Sequence, residues 1–131
     1  MDSENRVVVG KIVVESEVSE ELVDGILDAA FNWAPAWYQK VYAKDPLPEG
    51  ANYMSEVCAK GGTIVIVIDE EGDGSGQFTE YEVTNQTIIT GLERYVKDGG
   101  RTPYELEEDP PDAVESDIIV QWALFNELIY G

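Results

Sequence analysis

The chain has 131 residues, 44% of them hydrophobic, and a formal net charge of −19 from 8 basic and 27 acidic side chains. That length suits one domain spanning residues 1–131, and the apolar fraction marks a folded, strongly anionic protein rather than a disordered acidic tail. A field of this sign repels nucleic-acid backbones, the single Cys58 excludes an internal disulfide and a cysteine-based zinc site, and the absence of histidine removes the commonest general base and metal ligand.

The opening stretch MDSENRVVVGKIVVESEV has neither a basic leader nor an apolar run long enough to span a membrane, so the expected compartment is the cytoplasm. Within it, Val8, Ile12 and Val14 alternate with polar positions such as Lys11 and Glu15, the period of a half-buried strand weakened at Gly10. Ser19 then caps a helix. Glu20 and Glu21 occupy its positively polarised first turn, Val18 and Val23 have the spacing of a hydrophobic staple, and Leu22, Ile26 and Ala30 continue the apolar stripe. The helix is expected to end near FNWAPAWY, where Pro35 breaks it or starts a new turn.

The aromatic run NWAPAWYQKVY follows. Trp33, Trp37, Tyr38 and Tyr42 bring more ring area together than a helix-to-loop junction needs. Followed by Lys40 and Lys44, flat rings of this kind can stack a base and meet a phosphate, although core packing or a subunit contact uses the same residues equally well.

Pro46, Pro48 and Gly50 mark a loop before a short helix around YMSEVCAK, stopped by Gly61 and Gly62. TIVIVI is β-branched, apolar on both faces and too short for a core helix, which makes it the expected central strand. Next, DEEGDGSGQFTE, Asp69 to Glu80, has oxygen-bearing side chains at its first, third, fifth, seventh, ninth and twelfth positions and Gly74 at its sixth, the spacing of an EF-hand loop. An EF-hand needs a helix on each side, whereas Thr79, Tyr81 and Val83 alternate with Glu80 and Glu82 as a strand, and Gly76 stands where a β-branched residue ties paired loops together. The segment is therefore read as an acidic hairpin turn, and no metal site is assigned.

From Thr84 the period is helical again: Thr84 or Asn85 caps, Ile88, Leu92, Tyr95 and Val96 form the stripe, Lys97 lies in the last turn and Gly99 stops it. Free N–H groups at the helix start, beside Asn85 and Thr87, can bind an anion, and ordinary capping explains them as well. Arg101 is a scarce cation that can serve a ligand or pair with a neighbouring acid. A loop is expected from Arg101 to Pro111. The acids Glu105, Glu107, Glu108, Asp109, Asp112, Glu115 and Asp117 cluster here, either as a solvated loop and helix N-terminus or as a partner-binding surface.

The last segment, SDIIVQWALFNELIYG, reads as a helix apolar around nearly its whole circumference, with Gln121, Asn126 and Glu127 the polar exceptions. One side faces its own domain and the other is expected to meet a second subunit, with Ile118, Trp122, Phe125 and Ile129 as the oligomer contacts. The expected fold is α+β: a short antiparallel β-sheet with a β-hairpin packed against three to four helices, the C-terminal helix buried at an oligomer interface. With no glycine-rich phosphate loop, Ser/His/Asp set or Cys/His pair in the sequence, neither enzymatic activity nor a cofactor is expected.

Four stretches, AAFNWAPAWY, AKGGTIVIVID, VTNQTIITGLERYV and DIIVQWALFNELIYG, give the chain a family likeness over about residues 20–131. It resembles small acidic proteins of phages and prophages, and is similar to the first family of Thoeris anti-defence proteins. NWAPA stands where that family usually has Gly-Gly before an aromatic pair, which would alter a pocket shaped by that backbone. The resemblance implies an oligomeric sponge that sequesters a cyclic ADP-ribose-type signal inside the bacterial host without cleaving it, in a pocket between subunits. It also implies roles for Trp37, Tyr38 and the helix start at Asn85. Joined with the reading of the residues, the candidate ligand set is Trp33, Trp37, Tyr38, Lys40, Asn85, Thr87 and Arg101. The competing expectation uses the negative field directly: an acidic anti-CRISPR or DNA-mimic inhibitor that binds a basic host defence protein through Glu105 to Asp117 and is indifferent to Trp37. A purely structural assembly protein is the third.

Overall fold

The computed structural model describes residues 17–34, 37–44, 46–69 and 78–130. The strand expected over Val8, Ile12 and Val14, the break at Pro35 and residues 70–77 of the acidic turn lie outside them. The described elements are α1 (Glu20–Trp33), β1 (Lys40–Ala43), α2 (Met54–Ala59), β2 (Ile64–Ile68), β3 (Thr79–Val83), α3 (Asn85–Lys97), α4 (Pro103–Glu108) and α5 (Ala113–Phe125). They form an α+β fold whose antiparallel sheet has the order β1-β2-β3.

α1 starts where expected because Ser19 Oγ accepts the Leu22 N–H at 3.1 Å, while Val18 packs on the core beside Val23. Its stripe of Leu22, Val23, Ile26, Leu27 and Ala30 is buried. β2 is buried along its whole length. Side chains alternate across a strand, so Ile64, Ile66 and Ile68 enter the helical core and Val65 and Val67 face the other side. On that outer face, Lys40 and Glu80 flank Val67, and Tyr42 and Glu82 flank Val65. Ile68 pairs with Thr79, so the acidic segment joins two antiparallel strands, not the helices of an EF-hand.

α3 begins at a capping box in which Thr84 and Thr87 bond each other's backbone N–H groups. It ends in a Schellman arrangement: Gly100 N–H reaches the Tyr95 carbonyl at 2.8 Å, Gly99 N–H reaches that of Val96 at 3.0 Å, and Gly99 has φ +95°. α5 packs against both α1 and α3. The α3 contact is close because Gly91 has no side chain: a Cβ there would lie 2.7 Å from Ala123 Cβ and 2.8 Å from the Ile119 carbonyl oxygen.

Three expectations change. The aromatic run does not pass directly into a loop but feeds β1, a strand of four residues paired with β2 and, among the described residues, at the edge of the sheet. Residues expected as loop from Arg101 to Pro111 contain α4, which has Thr102 as N-cap, Pro103 in its first turn and Glu105 closing a capping box. The described helices are therefore five. Finally, the C-terminal helix stops at Phe125 because Asn126 adopts the left-handed conformation, φ 57°, and turns the chain back. Ile129 thus lies beyond the helix rather than on its face. No helix among the described residues is long and apolar enough to cross a membrane.

Candidate functional site

Trp37 sits where the ends of α1 and α5 meet the start of β1. Its ring lies parallel to Tyr130, with centroids 5.1 Å apart and 4° between planes, and meets Tyr38 and Phe125 edge-on, each at 5.5 Å. Phe31 extends the cluster through Tyr38 and Tyr81 extends it through Phe125. The indole N–H donates to Asp117 Oδ1 at 2.6 Å. Burial, first of all, and the nearby Asp117 charge raise the Tyr38 phenol above its ordinary pKa. Trp37 and Tyr38, expected as ligand contacts, are thus half-buried packing residues in this conformation.

The other oxygen of Asp117 accepts Gln121 Nε2 at 2.9 Å, and the same nitrogen donates to the Tyr130 carbonyl at 2.8 Å. Gln121 Oε1 accepts the backbone N–H groups of Ile129 and Tyr130, each at 2.9 Å. Gln121 was one of the polar exceptions in an apolar segment, and it is 1% exposed. A buried carboxamide needs partners, and this one finds them in a C-terminal turn that the expected continuous helix left no room for.

A second feature is open. On the outer face of the sheet a groove of about 680 Å³ is lined by Gln39, Lys40, Val67, Phe78 and Glu80. Val67 is its floor. Phe78, which leads into β3, is 50% exposed and offers a ring to solvent. Lys40 Nζ lies 5.2 Å from the Tyr42 ring centroid, and the described residues provide it with no ion-pair partner. Glu80 accepts the Tyr42 hydroxyl at 2.9 Å, a hydrogen bond that raises the phenol pKa. The groove thus joins an apolar floor, a ring, an ammonium and an oriented carboxylate, at a volume typical of small-molecule sites. Of these residues Lys40 is a candidate from the sequence, whereas Phe78, Gln39 and Glu80 are brought beside it by strand register alone.

The remaining candidates do not converge on either place. Trp33, at the end of α1, is 77% exposed. Asn85 and Thr87 follow Val83, which pairs with Ile64, whereas Lys40 pairs with Val67, so the helix start and Lys40 lie toward opposite ends of the sheet. Thr87 is occupied by its capping box. Arg101 is bound to Glu115, through Nη2 at 2.5 Å and Nε at 3.1 Å, and reaches Asp109 at 3.4 Å. Glu115 also accepts the Tyr95 hydroxyl at 2.5 Å. Arg101 holds the Glu115 carboxyl below its usual pKa, while burial, followed by the bond to Glu115, pushes the Tyr95 phenol up to about 12. Arg101 is a clamp between the α3–α4 turn and α5.

Four other acids of the cluster have similar duties. Glu105 closes a capping box, Glu107 accepts the Ser19 N–H, Asp112 caps α5 and Asp117 holds Trp37. Of the expected oligomer contacts, Ile118, Trp122 and Phe125 are half-buried and Ile129 is 52% exposed. No protein-family model, curated protein or solved structure matches the chain.

Proposed function

We propose that this chain is a non-catalytic binding protein that captures a cyclic nucleotide signal of the cyclic ADP-ribose type, as its resemblance to Thoeris anti-defence proteins implies, in the groove beside Lys40. The observation that carries the reading is the pairing of an exposed ring, Phe78, with an ammonium, Lys40, across the Val67 floor. Phe78 stacks the base, Lys40 meets a phosphate, and the Glu80 carboxylate accepts ribose hydroxyls or an exocyclic amine. Homo-oligomerisation belongs to the same reading: half-buried Ile118 and Trp122 and exposed Ile129 offer apolar area to a second copy.

The acidic-inhibitor reading has less support, because Glu105, Glu107, Asp109, Asp112, Glu115 and Asp117 each already serve this chain's own caps and clamps.

Base stacking on an aromatic ring contributes about 1–3 kcal/mol, so Phe78→Ala weakens retention of cyclic ADP-ribose isomers by about fivefold to a hundredfold in equilibrium dialysis. Lys40→Ala does the same. Both positions are exposed or on an edge strand, and the variants melt at the parent temperature. Unaltered binding in both variants, or return of the ligand hydrolysed, contradicts the proposal.

A further inference from the structure

The place held by the C-terminal turn has a definite chemistry. Its receptor half is built on the body of the protein: the face of Trp37, the Gln121 carboxamide, and Asp117, which ties the two together through 2.6 Å and 2.9 Å hydrogen bonds. The occupant half arrives through Asn126, a non-glycine residue in the left-handed conformation, and carries Leu128 and Ile129 half-exposed at 51% and 52%. Apart from the half-buried Tyr130 ring, the segment buries little apolar area, which belongs to the less stable end of a fold.

What the turn presents to that receptor is a flat ring on Trp37 and, beside it, two N–H donors and one carbonyl acceptor matched to Gln121. Guanine presents the same set: a flat ring, a carbonyl oxygen, and adjacent ring and exocyclic N–H groups along one edge. Adenine offers a ring-nitrogen acceptor and N6–H, which also match a carboxamide, but it has no second N–H beside them and so leaves one donor of this pattern unmet.

We propose that residues 127–130 are a displaceable cover over a base-binding site, and that the site takes guanine or another planar lactam when the cover lifts. Trp37 supplies the stacking face in place of its contact with Tyr130, Gln121 exchanges the backbone of Ile129 and Tyr130 for the edge of the base, and Asp117 keeps indole and carboxamide in position. This site is distinct from the sheet-face groove, and the inference stands without the groove reading.

The test is a titration of the ¹⁵N-labelled full chain with GMP and with AMP. The indole N–H signals of Trp33, Trp37 and Trp122 are followed, and that of Trp37 is assigned with Trp37→Phe. GMP shifts the Trp37 signal and AMP binds about tenfold more weakly. Tyr130→Ala, which removes the stacked ring but keeps the backbone that Gln121 holds, binds GMP about tenfold tighter than the parent, because the binding-competent population has risen. Lys40→Ala leaves GMP affinity unchanged. A folded Tyr130→Ala chain with equal or weaker GMP affinity overturns the proposal, as does a Trp37 signal that does not move or GMP binding lost with Lys40. Equal affinity for AMP and GMP overturns the lactam assignment. If Tyr130→Ala does not fold, hydrogen exchange in the parent decides: the Ile129 and Tyr130 amides exchange faster under saturating GMP, and unchanged exchange rejects the cover.

Discussion

Trp37 does two jobs with one side chain: its faces and edges pack aromatic rings from both ends of the chain, and its N–H holds Asp117. The jobs separate by substitution. Trp37→Phe keeps a ring but strands a half-buried carboxylate oxygen, which costs about 1–2 kcal/mol. Trp37→Ala also removes the packing and costs about 3 kcal/mol. Urea unfolding measures both, and a Trp37→Phe midpoint equal to the parent's would mean that the bond to Asp117 adds nothing. The aromatic density around residue 37 was visible in the sequence, whereas its stacking partner was not, because Tyr130 returns from the far end of the chain. Gln121 announced itself only as a polar residue in apolar company. One partner, Asp117, stands four residues earlier on the same helix face, where spacing alone can suggest it; the others are backbone groups beyond a helix end, and no residue pattern identifies those. Phe78 was hidden for a similar reason, since within DEEGDGSGQFTE it read as part of a turn and only the β2–β3 register sets it beside Lys40.

Among elements, the most exacting contact is α3 against α5. Gly91→Ala would improve intrinsic helix propensity by about 1 kcal/mol, yet its methyl group would meet Ala123 Cβ at 2.7 Å and the Ile119 carbonyl oxygen at 2.8 Å. Backbone oxygen cannot swing aside, so the helices must part, and overpacking of this kind costs about 1–3 kcal/mol. The variant therefore melts below the parent, and a higher melting temperature would show that the contact is slack. The Glu115 clamp gives a pH signature. Its pKa is lower folded than unfolded, chiefly because of Arg101. Stability from this group is thus present above the ordinary carboxylate range and lost as pH falls through that range toward the folded value. Glu115→Gln loses the pH-dependent part, so melting curves from pH 7 to pH 3 fall less steeply for the variant than for the parent, and parallel curves would refute the assignment. Elements with caps, glycine stops or clear apolar patterns, α1, α2, β2, β3 and α3, were legible. β1 is too short to show alternation inside an aromatic run, α4 was obscured by prolines and acids despite its Thr102 and Glu105 box, and the end of α5 depended on one asparagine taking a left-handed turn.

At the scale of the whole molecule, a charge of −19 opposes capture of an anion. Most of the described cations are also engaged: Lys44 with Glu82, Lys60 with Glu20, Arg101 with Glu115, and Arg94 with the last carbonyls of α5. Lys40 is placed differently, at the groove and over a ring. The overall field acts over distances that salt screens, with a Debye length of about 8 Å at physiological ionic strength, whereas contact with Lys40 is local. Capture of an anionic nucleotide therefore strengthens or holds steady as salt is raised from low concentration, the opposite of the salt response expected when an acidic surface binds a basic protein. Nucleotide capture at Lys40 and Phe78 is decided by native mass spectrometry of the parent chain, Lys40→Ala and Phe78→Ala, each mixed with cyclic ADP-ribose isomers. Capture in the groove requires a parent multimer that keeps one isomer at a fixed ratio per subunit and returns it intact on denaturation, while both variants lose it. A parent that retains none of them, or variants that retain as much as the parent, would contradict it.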